Sequence, residues 1–374
     1  MPHYKFDRIA YNITDKKIPE PGDEKTYIGL EHLDSGSLKV TRWGNEVELK
    51  GQKLVMKKGD LLFGKRNTYL RRAAIAPHDG IFSAHGMIFR PKTEVIDPEY
   101  FPFFISSNYF MDAAIRISVG SLSPTVNWKT LKELEFDIPS LEEQKKNAEL
   151  LKAINDTKEA YQELLLKTDD LVKSQFIEMF GDPIQNDMKW PVEQLSKVAP
   201  QYSPKIEVGE KVWLLNLDMV ENDTGNIIEK VYVSPDEIGT STGTFNSEMV
   251  LYSKLRPYLN KVVMPDGEGY ATKELVPMLP QKNKLRKEFL AALLRGDHFL
   301  SYAVHISAGA RMPRMPVKVL KAFNCILPPI ELQDTFITFM EQGEKSKKEL
   351  KQAIESTDNL IKSILYSNLE EKKE

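Results

Sequence analysis

Residues 61–72 read "LLFGKRNTYLRR", and residues 250–261 read "VLYSKLRPYLNK". At this offset of 189 residues Leu62, Lys65, Tyr69 and Leu70 fall on Leu251, Lys254, Tyr258 and Leu259, and Arg72 meets Lys261. Without a gap, the offset carries "SVGSLSPTVNWKTLK" onto "SAGARMPRMPVKVLK". There Ser118, Gly120, Pro124, Lys129, Leu131 and Lys132 meet Ser307, Gly309, Pro313, Lys318, Leu320 and Lys321, six matches in fifteen positions. It sets Pro139, Glu142 and Gln144 of "DIPSLEEQ" on Pro328, Glu331 and Gln333 of "ILPPIELQ". It also sets Asp169, Leu171, Lys173 and Ser174 of "DDLVKS" on Asp358, Leu360, Lys362 and Ser363 of "DNLIKS". Only the region before residue 61 needs a small gap, where "TYIGLEHLD" pairs with "VWLLNLDMV". A long-period repeat decides architecture before any local motif does. The chain is a tandem duplication of one unit.

The repeat disposes of a nucleotide-binding reading. Gly59, Gly64 and Lys65 fall at P-loop spacing, but Arg66 stands where the motif needs a hydroxyl for magnesium. Leu61, Leu62 and Phe63 read as a buried strand rather than a solvated cradle. The two glycines do not recur in the second copy.

Each unit opens with short Val, Ile, Leu and Phe runs separated by Gly, Pro, Asn and Asp, an α/β (mixed α+β) pattern of roughly 140 residues. A long helix follows. The first is expected from Leu141 to Met179, with Ser140 as N-cap, Glu143 as its capping-box partner, and Gly181-Asp182-Pro183 as the stop. Its apolar stripe holds Leu150, Leu151, Ile154, Tyr161, Leu164, Leu165, Leu171, Val172 and Phe176. The second, Ile330 to Leu369, carries Phe336, Phe339, Met340, Leu350, Ile354, Leu360, Ile361, Ile364 and Leu365. Helices of this length are roughly 60 Å long. So narrow a stripe does not stabilise either alone, so the two are expected to form an antiparallel coiled coil related by a pseudo-two-fold axis, the alternative being that each folds back on its own domain or docks on a separate chain. Leu151, Ile154, Leu165, Val172, Met340, Ile354, Leu360 and Ile361 are the expected coiled-coil or partner interface. The expected boundaries are 1–139 and 184–328 for the mixed domains, 140–183 and 329–374 for the helices.

The net charge of -3 announces no polyanion partner, but the distribution is uneven. Residues 61–92 hold Lys65, Arg66, Arg71, Arg72, Arg90 and Lys92 against Asp79 alone, a net of +5. In the second unit Lys254, Arg256 and Lys261 form one cluster, and Arg311, Arg314, Lys318 and Lys321 another without an acid. Lysine neutralises phosphates, arginine also reads guanine bidentately, and Tyr69 and Tyr258 add a flat ring with a polar tip. Any one such residue is ordinarily a solvated surface charge. Their recurrence in both copies favours the group as a DNA-binding set: Lys65, Arg66, Tyr69, Arg71, Arg72, Arg90, Lys254, Arg256, Tyr258, Lys261, Arg311 and Arg314. Matching positions suit a scaffold. Differing ones, such as Arg66 opposite Leu255, Arg71 opposite Asn260, and Ser121-Leu122-Ser123 opposite Ala310-Arg311-Met312, suit different half-sites. Two similar modules fit a duplex DNA target with two half-sites.

The lone Cys325 in "FNCILPPI" excludes an internal disulfide and suits a reducing cytoplasm. Nothing resembles a signal peptide or a bilayer span, and the six histidines lack metal-ligand spacing.

The order of "GDLLF", "SVGSLSPTVNWKTLKELEFDIPSLEEQ", a helix ending in "LVKSQFIEMFGDP", then a second copy ending in "ILPPIELQ" and a helix, resembles the specificity (S) subunit of type I restriction-modification systems. The resemblance covers essentially the whole chain. It implies two target recognition domains, conserved spacer helices matching residues 141–183 and 330–369, and a bipartite target with a non-specific gap. It further implies docking of two methyltransferase (M) subunits and of restriction (R) subunits. S-adenosylmethionine, ATP and Mg are then expected on those partners and none on this chain. The family's recognition domains vary too much for any base-contacting residue to be carried over.

Catalytic residues are not expected. "LPPI" at 327–330 is a poor match to a methyltransferase tetrad, Gly267-Glu268-Gly269 is a poor cofactor loop, and Glu48-Leu49-Lys50 lacks a well-placed earlier acid. Two alternatives remain: an enzyme acting alone on DNA, and a non-DNA coiled-coil scaffold holding two protein-binding domains. The scaffold leaves the paired basic clusters unexplained.

Overall fold

The computed structural model describes residues 1–44, 49–307, 309 and 311–369. Glu48 and Ala310, invoked above, lie outside the described residues. The chain divides into two compact units, Met1–Glu163 with Leu350–Glu374, and Leu164–Glu349.

In the first unit His3–Lys5 pairs antiparallel with Glu135–Asp137. One four-stranded sheet runs Ala10–Ile13, Met87–Pro91, Leu61–Phe63, Ala73–Ile75; the other runs Lys16–Lys17, Lys53–Met56, Gly80–Phe82, Tyr27–Ile28. Leu61, Leu62 and Phe63 are all buried, as a strand in place of a phosphate cradle requires. Phe6, Phe63, Phe89, Phe110 and Phe136 form the aromatic centre of the core, with ring centroids 5.0 to 6.0 Å apart. Helices Phe101–Ser106 and Asn108–Arg116 contribute to the same core.

The second unit repeats the plan. Val192–Gln194 pairs with Asn324–Ile326, so the 189-residue offset holds at the first strand and its partner. A three-stranded sheet (Val262–Val263, Val250–Ser253, Leu275–Met278) and a four-stranded one (Val231–Val233, Val212–Leu215, Gly269–Thr272, Thr242–Phe245) follow. In the gapped region the ladders correct the alignment by one residue. Ile28 pairs with Phe82 and Leu215 with Ala271, which makes Leu215 the counterpart of Ile28; a flush alignment chooses Leu214. The cause is strand alternation, because Ile28 and Leu215 point into the core while Leu214 is half-buried. Cys325 fills the position that Phe136 holds in the first unit.

The long helices are Leu141–Phe180 and Ile330–Leu369. Ser140 and Glu143 form the capping box at 3.0 and 3.3 Å, and Gly181, with φ +71°, donates to the Ile177 carbonyl. The helices pack antiparallel within each unit. In the first, Leu151 and Leu365 enter the domain core, Ile154 is buried, and Ile361 and Ile364 pack alongside. In the second, Phe176 meets Phe336 at 5.4 Å, Val172 and Met340 pack on the core, and Gly343 lies against Val172. Leu165 and Ile354 are half-buried. Leu360, expected at the interface, is 50% exposed; Leu150, Leu164 and Leu171 are also exposed. Each precedes a more deeply placed residue, Leu151, Leu165, Val172 or Ile361, and one helical step turns a side chain by about 100°. The contact seam is therefore narrower than the apolar stripe.

Two polar devices recur. Gln144, wholly buried, donates to the Val95 and Pro139 carbonyls (3.0 and 2.9 Å) and accepts from the Asp97 N–H (2.7 Å). Gln333 repeats this with Lys284, Pro328 and Arg286. Lys158 pairs with Asp358 at 2.7 Å, and the equivalent Lys347 pairs with Asp169 at 2.8 Å.

Two outcomes are expected. Gln144→Ala leaves three backbone groups unpaired and should cost the first unit about 2–4 kcal/mol. Hydrogen exchange should rise around residues 95–97 and leave residues 284–286 protected. Burial pushes the Cys325 thiol up to about 12, so a thiol reagent at neutral pH should label it only as the second unit unfolds in denaturant.

Candidate nucleic-acid interface

Thr68–Leu70 forms a single 3-10 turn bracketed by Asn67 and Arg71, with φ of +55° and +50°. Its counterpart Pro257–Leu259 is bracketed by Arg256 and Asn260, at +50° and +48°. Left-handed conformations are uncommon for non-glycine residues and persist where surrounding contacts impose them. The contacts are the same in both units. The N–H groups of Asn67 and Arg256 donate to the carbonyls of Pro124 and Pro313 at 2.7 and 2.8 Å. Those of Val126 and Met315 donate to Lys65 and Lys254 at 2.9 and 2.8 Å. Each turn is thereby fastened to the loop containing Gly120 or Gly309, both at positive φ. The turn presents Tyr69 or Tyr258 to solvent, 56% and 50% exposed.

The twelve expected DNA-binding residues separate into two groups. Some are committed to the fold. Arg90 holds the buried Asp60 carboxylate with two bonds of 2.5 and 2.9 Å. Arg72 donates to the Leu30 carbonyl at 2.9 Å, and Lys261 to the equivalent Leu217 carbonyl at 2.6 Å. Burial lowers the pKa of Lys261, and burial, helped by the Lys16 charge, lowers that of Lys65. Lys65 and Lys16 line a cavity of about 290 Å³ with Asn127 and Trp128. Lys254 is half-buried.

The others surround the tyrosine turns. Exposed Arg66 donates to Ser123 Oγ at 3.2 Å, and Arg71 bonds Asn108 and Asp112. In the second unit Arg256 and Arg311 are exposed and Arg314 pairs with Glu274 at 3.1 Å. The first unit thus brings Arg66, Tyr69 and Arg71 to one turn, and the second unit Arg256 and Tyr258, with Arg314 bridged to Leu255 beside them. Sequence reasoning missed Asn67, whose Oδ1 is buried without a partner beside Tyr69. Its signal is the left-handed turn, which asparagine tolerates best among ordinary residues.

Among the described residues, no group of three His, Cys, Asp and Glu is placed to hold a metal, and no helix is long and apolar enough to cross a membrane.

Residues 12–166, which contain the first turn and its loop, match the family described as the type I restriction modification DNA specificity domain. This stretch of the first unit is thus similar to a type I restriction-modification specificity domain. The EcoDI specificity subunit of Escherichia coli is 22% identical to this chain over 187 residues, 49% of the chain and 41% of the relative, so that match spans less than half of the relative's length. The MjaIX specificity subunit of Methanocaldococcus jannaschii is 22% identical over 329 residues, 79% of the chain and 71% of the relative. A chain from a structural study of assembly and conformational transition in the type I R-M system superposes with a TM-score of 0.60 at 15% identity, covering 98% of this chain and 97% of that one. The type I S subunit from M. genitalium gives 0.53 at 12% identity, covering 97% and 95%. The specificity domain therefore sits in a chain folded throughout like a type I specificity subunit.

The division of the basic residues is testable by denaturant unfolding. Arg90→Met leaves the buried Asp60 carboxylate only the Lys57 N–H as a partner and should cost about 1–3 kcal/mol, the penalty for a buried acceptor that loses its charged donor. Arg66→Ala should change stability by less than about 0.5 kcal/mol, as is usual at exposed sites.

Proposed function

We propose that this chain is the DNA-reading subunit of a type I restriction-modification complex and recognises a bipartite target, one half per unit. The observation that carries this reading is the doubled turn: one strained backbone in both units, one exposed tyrosine at its centre, and different basic residues around it. A shared backbone suits phosphate and sugar contacts, which position the protein. The exchanged side chains suit base edges, which differ between half-sites. Arg66, Tyr69 and Arg71 are assigned to the first half-site, and Arg256, Tyr258, Arg311 and Arg314 to the second.

In this reading the chain itself performs no bond chemistry. Methyltransferase subunits carrying S-adenosylmethionine dock on the long helices, where Leu164, Leu171 and Leu360 leave apolar surface exposed. Restriction subunits using ATP and Mg join that core, and the assembly works in the cytoplasm.

The test is methylation mapping in a methylation-free bacterial host expressing the cognate methyltransferase subunit with and without this chain. One bipartite motif should be methylated only when the chain is present, and exchanging residues 1–139 for those of a relative should change one half of it. A complex that assembles yet methylates no such motif would overturn the reading in favour of a protein scaffold. Binding of the assembled complex to that motif should also weaken steeply with salt, by about 10³-fold or more between 50 and 200 mM if six or more phosphates are contacted.

A further inference from the structure

The loop fastened to the first turn carries an apolar side chain that the fold does not use. Leu122 is 94% exposed, more than any other large hydrophobic residue described, and Val119 in the same loop is 63% exposed. The loop holding Leu122 is built rather than loose. Val119 and Thr125 exchange backbone bonds of 3.0 and 2.9 Å, and the Thr125 hydroxyl donates to the Ser123 carbonyl. Arg66 grips Ser123 Oγ, and Asn67 N–H holds the Pro124 carbonyl. Gly120, at φ +117°, makes the turn that a side chain would strain.

The surroundings select the occupant. Residues 61–72 and 117–126 contain no acid, and of the four cations on or next to the turn, Lys65, Arg66, Arg71 and Arg72, Arg71 alone is paired with a described carboxylate, that of Asp112. An apolar protein partner would be met by a patch of several large side chains, whereas this loop exposes two, Leu122 and the less exposed Val119, with Ser121 and Ser123 flanking the leucine. Phosphate contacts need no apolar group. A protruding aliphatic side chain on a rigid, cationic support matches a wedge that enters the base stack.

We infer that Leu122 inserts between adjacent base pairs of the first half-site and unstacks one step, an inference that rests on the DNA-reading function proposed above. Specificity at that step then comes from how readily the sequence unstacks as well as from hydrogen bonds.

The test uses the full chain assembled with its methyltransferase subunits and duplexes of the mapped motif, with 2-aminopurine placed singly along the first half-site, away from the methylated base. Binding should raise fluorescence at one step. Leu122→Ala should abolish that rise and weaken binding about tenfold, the loss of one buried leucine contact. Leu122→Met should keep the rise, and a mismatch at that step should restore affinity to Leu122→Ala. A rise that survives in Leu122→Ala, or no rise at any step despite tight binding, overturns the wedge alone. Weakened assembly of Leu122→Ala with the methyltransferase subunits in DNA-free sedimentation would also overturn it, and would make the loop a protein contact. Failure of the unaltered complex to bind the motif overturns both the wedge and the reading beneath it.

Discussion

Gln144 has no exposed surface, yet its amide meets three backbone groups from two separate segments: the carbonyls of Val95 and Pro139 and the N–H of Asp97. An amide offers two donors and an acceptor at fixed angles, so it fixes direction where an apolar residue would only fill space. Because Gln144 lies in the first turns of the long helix, it ties the heading of that helix to the loop entering the domain's own helices. Gln333 repeats the arrangement bond for bond. Each mixed domain and its helix consequently behave as one piece, and the turn that carries the exposed tyrosine inherits that rigidity through the shared core.

The helix seam rests on a different balance. Its apolar contacts are few, and residues of similar size on neighbouring positions leave the register weakly specified by packing alone. Lys158 reaches both Asp358 and the Gly36 carbonyl, each at 2.7 Å, while its side chain is 7% exposed. For Lys347 burial works to lower the pKa, but the carboxylates of Asp169 and Glu344 outweigh it and the net shift is upward. Such pairs add little net stability compared with apolar packing. A slip of one turn, however, would strand a lysine in the seam. Polar pairs therefore select the register that the leucines merely permit.

Much of this was legible in the chain. The duplication, the buried strand at Leu61–Phe63 and the first helix to within a residue of its end all follow from patterns local in sequence or repeated at one offset. The site was legible only as a region. Arg66 and Arg72 look alike in sequence, but Arg72 is spent on a carbonyl 42 residues away and Arg66 stays in solvent. Arg90 is likewise absorbed by Asp60, 30 residues back. Only tertiary structure decides such commitments. The left-handed conformation of Asn67 was hidden for the same reason, since its N–H is held by the distant Pro124 carbonyl. Leu171 and Leu360 match across the repeat, which suggested a shared interface, yet both lie one helical step off the seam.

The division of the chain into units has a consequence for the order of its biosynthesis. The second unit is a continuous stretch, Leu164–Glu349, whereas the first needs Leu350 onward to complete its core at Leu365. A nascent chain normally finishes its N-terminal domain first. Here the side of that domain around Leu151 stays uncovered until Leu365 emerges, roughly ten to forty seconds later at the usual pace of translation. The later unit can close in that interval, so the half of the protein that is made first is sealed last.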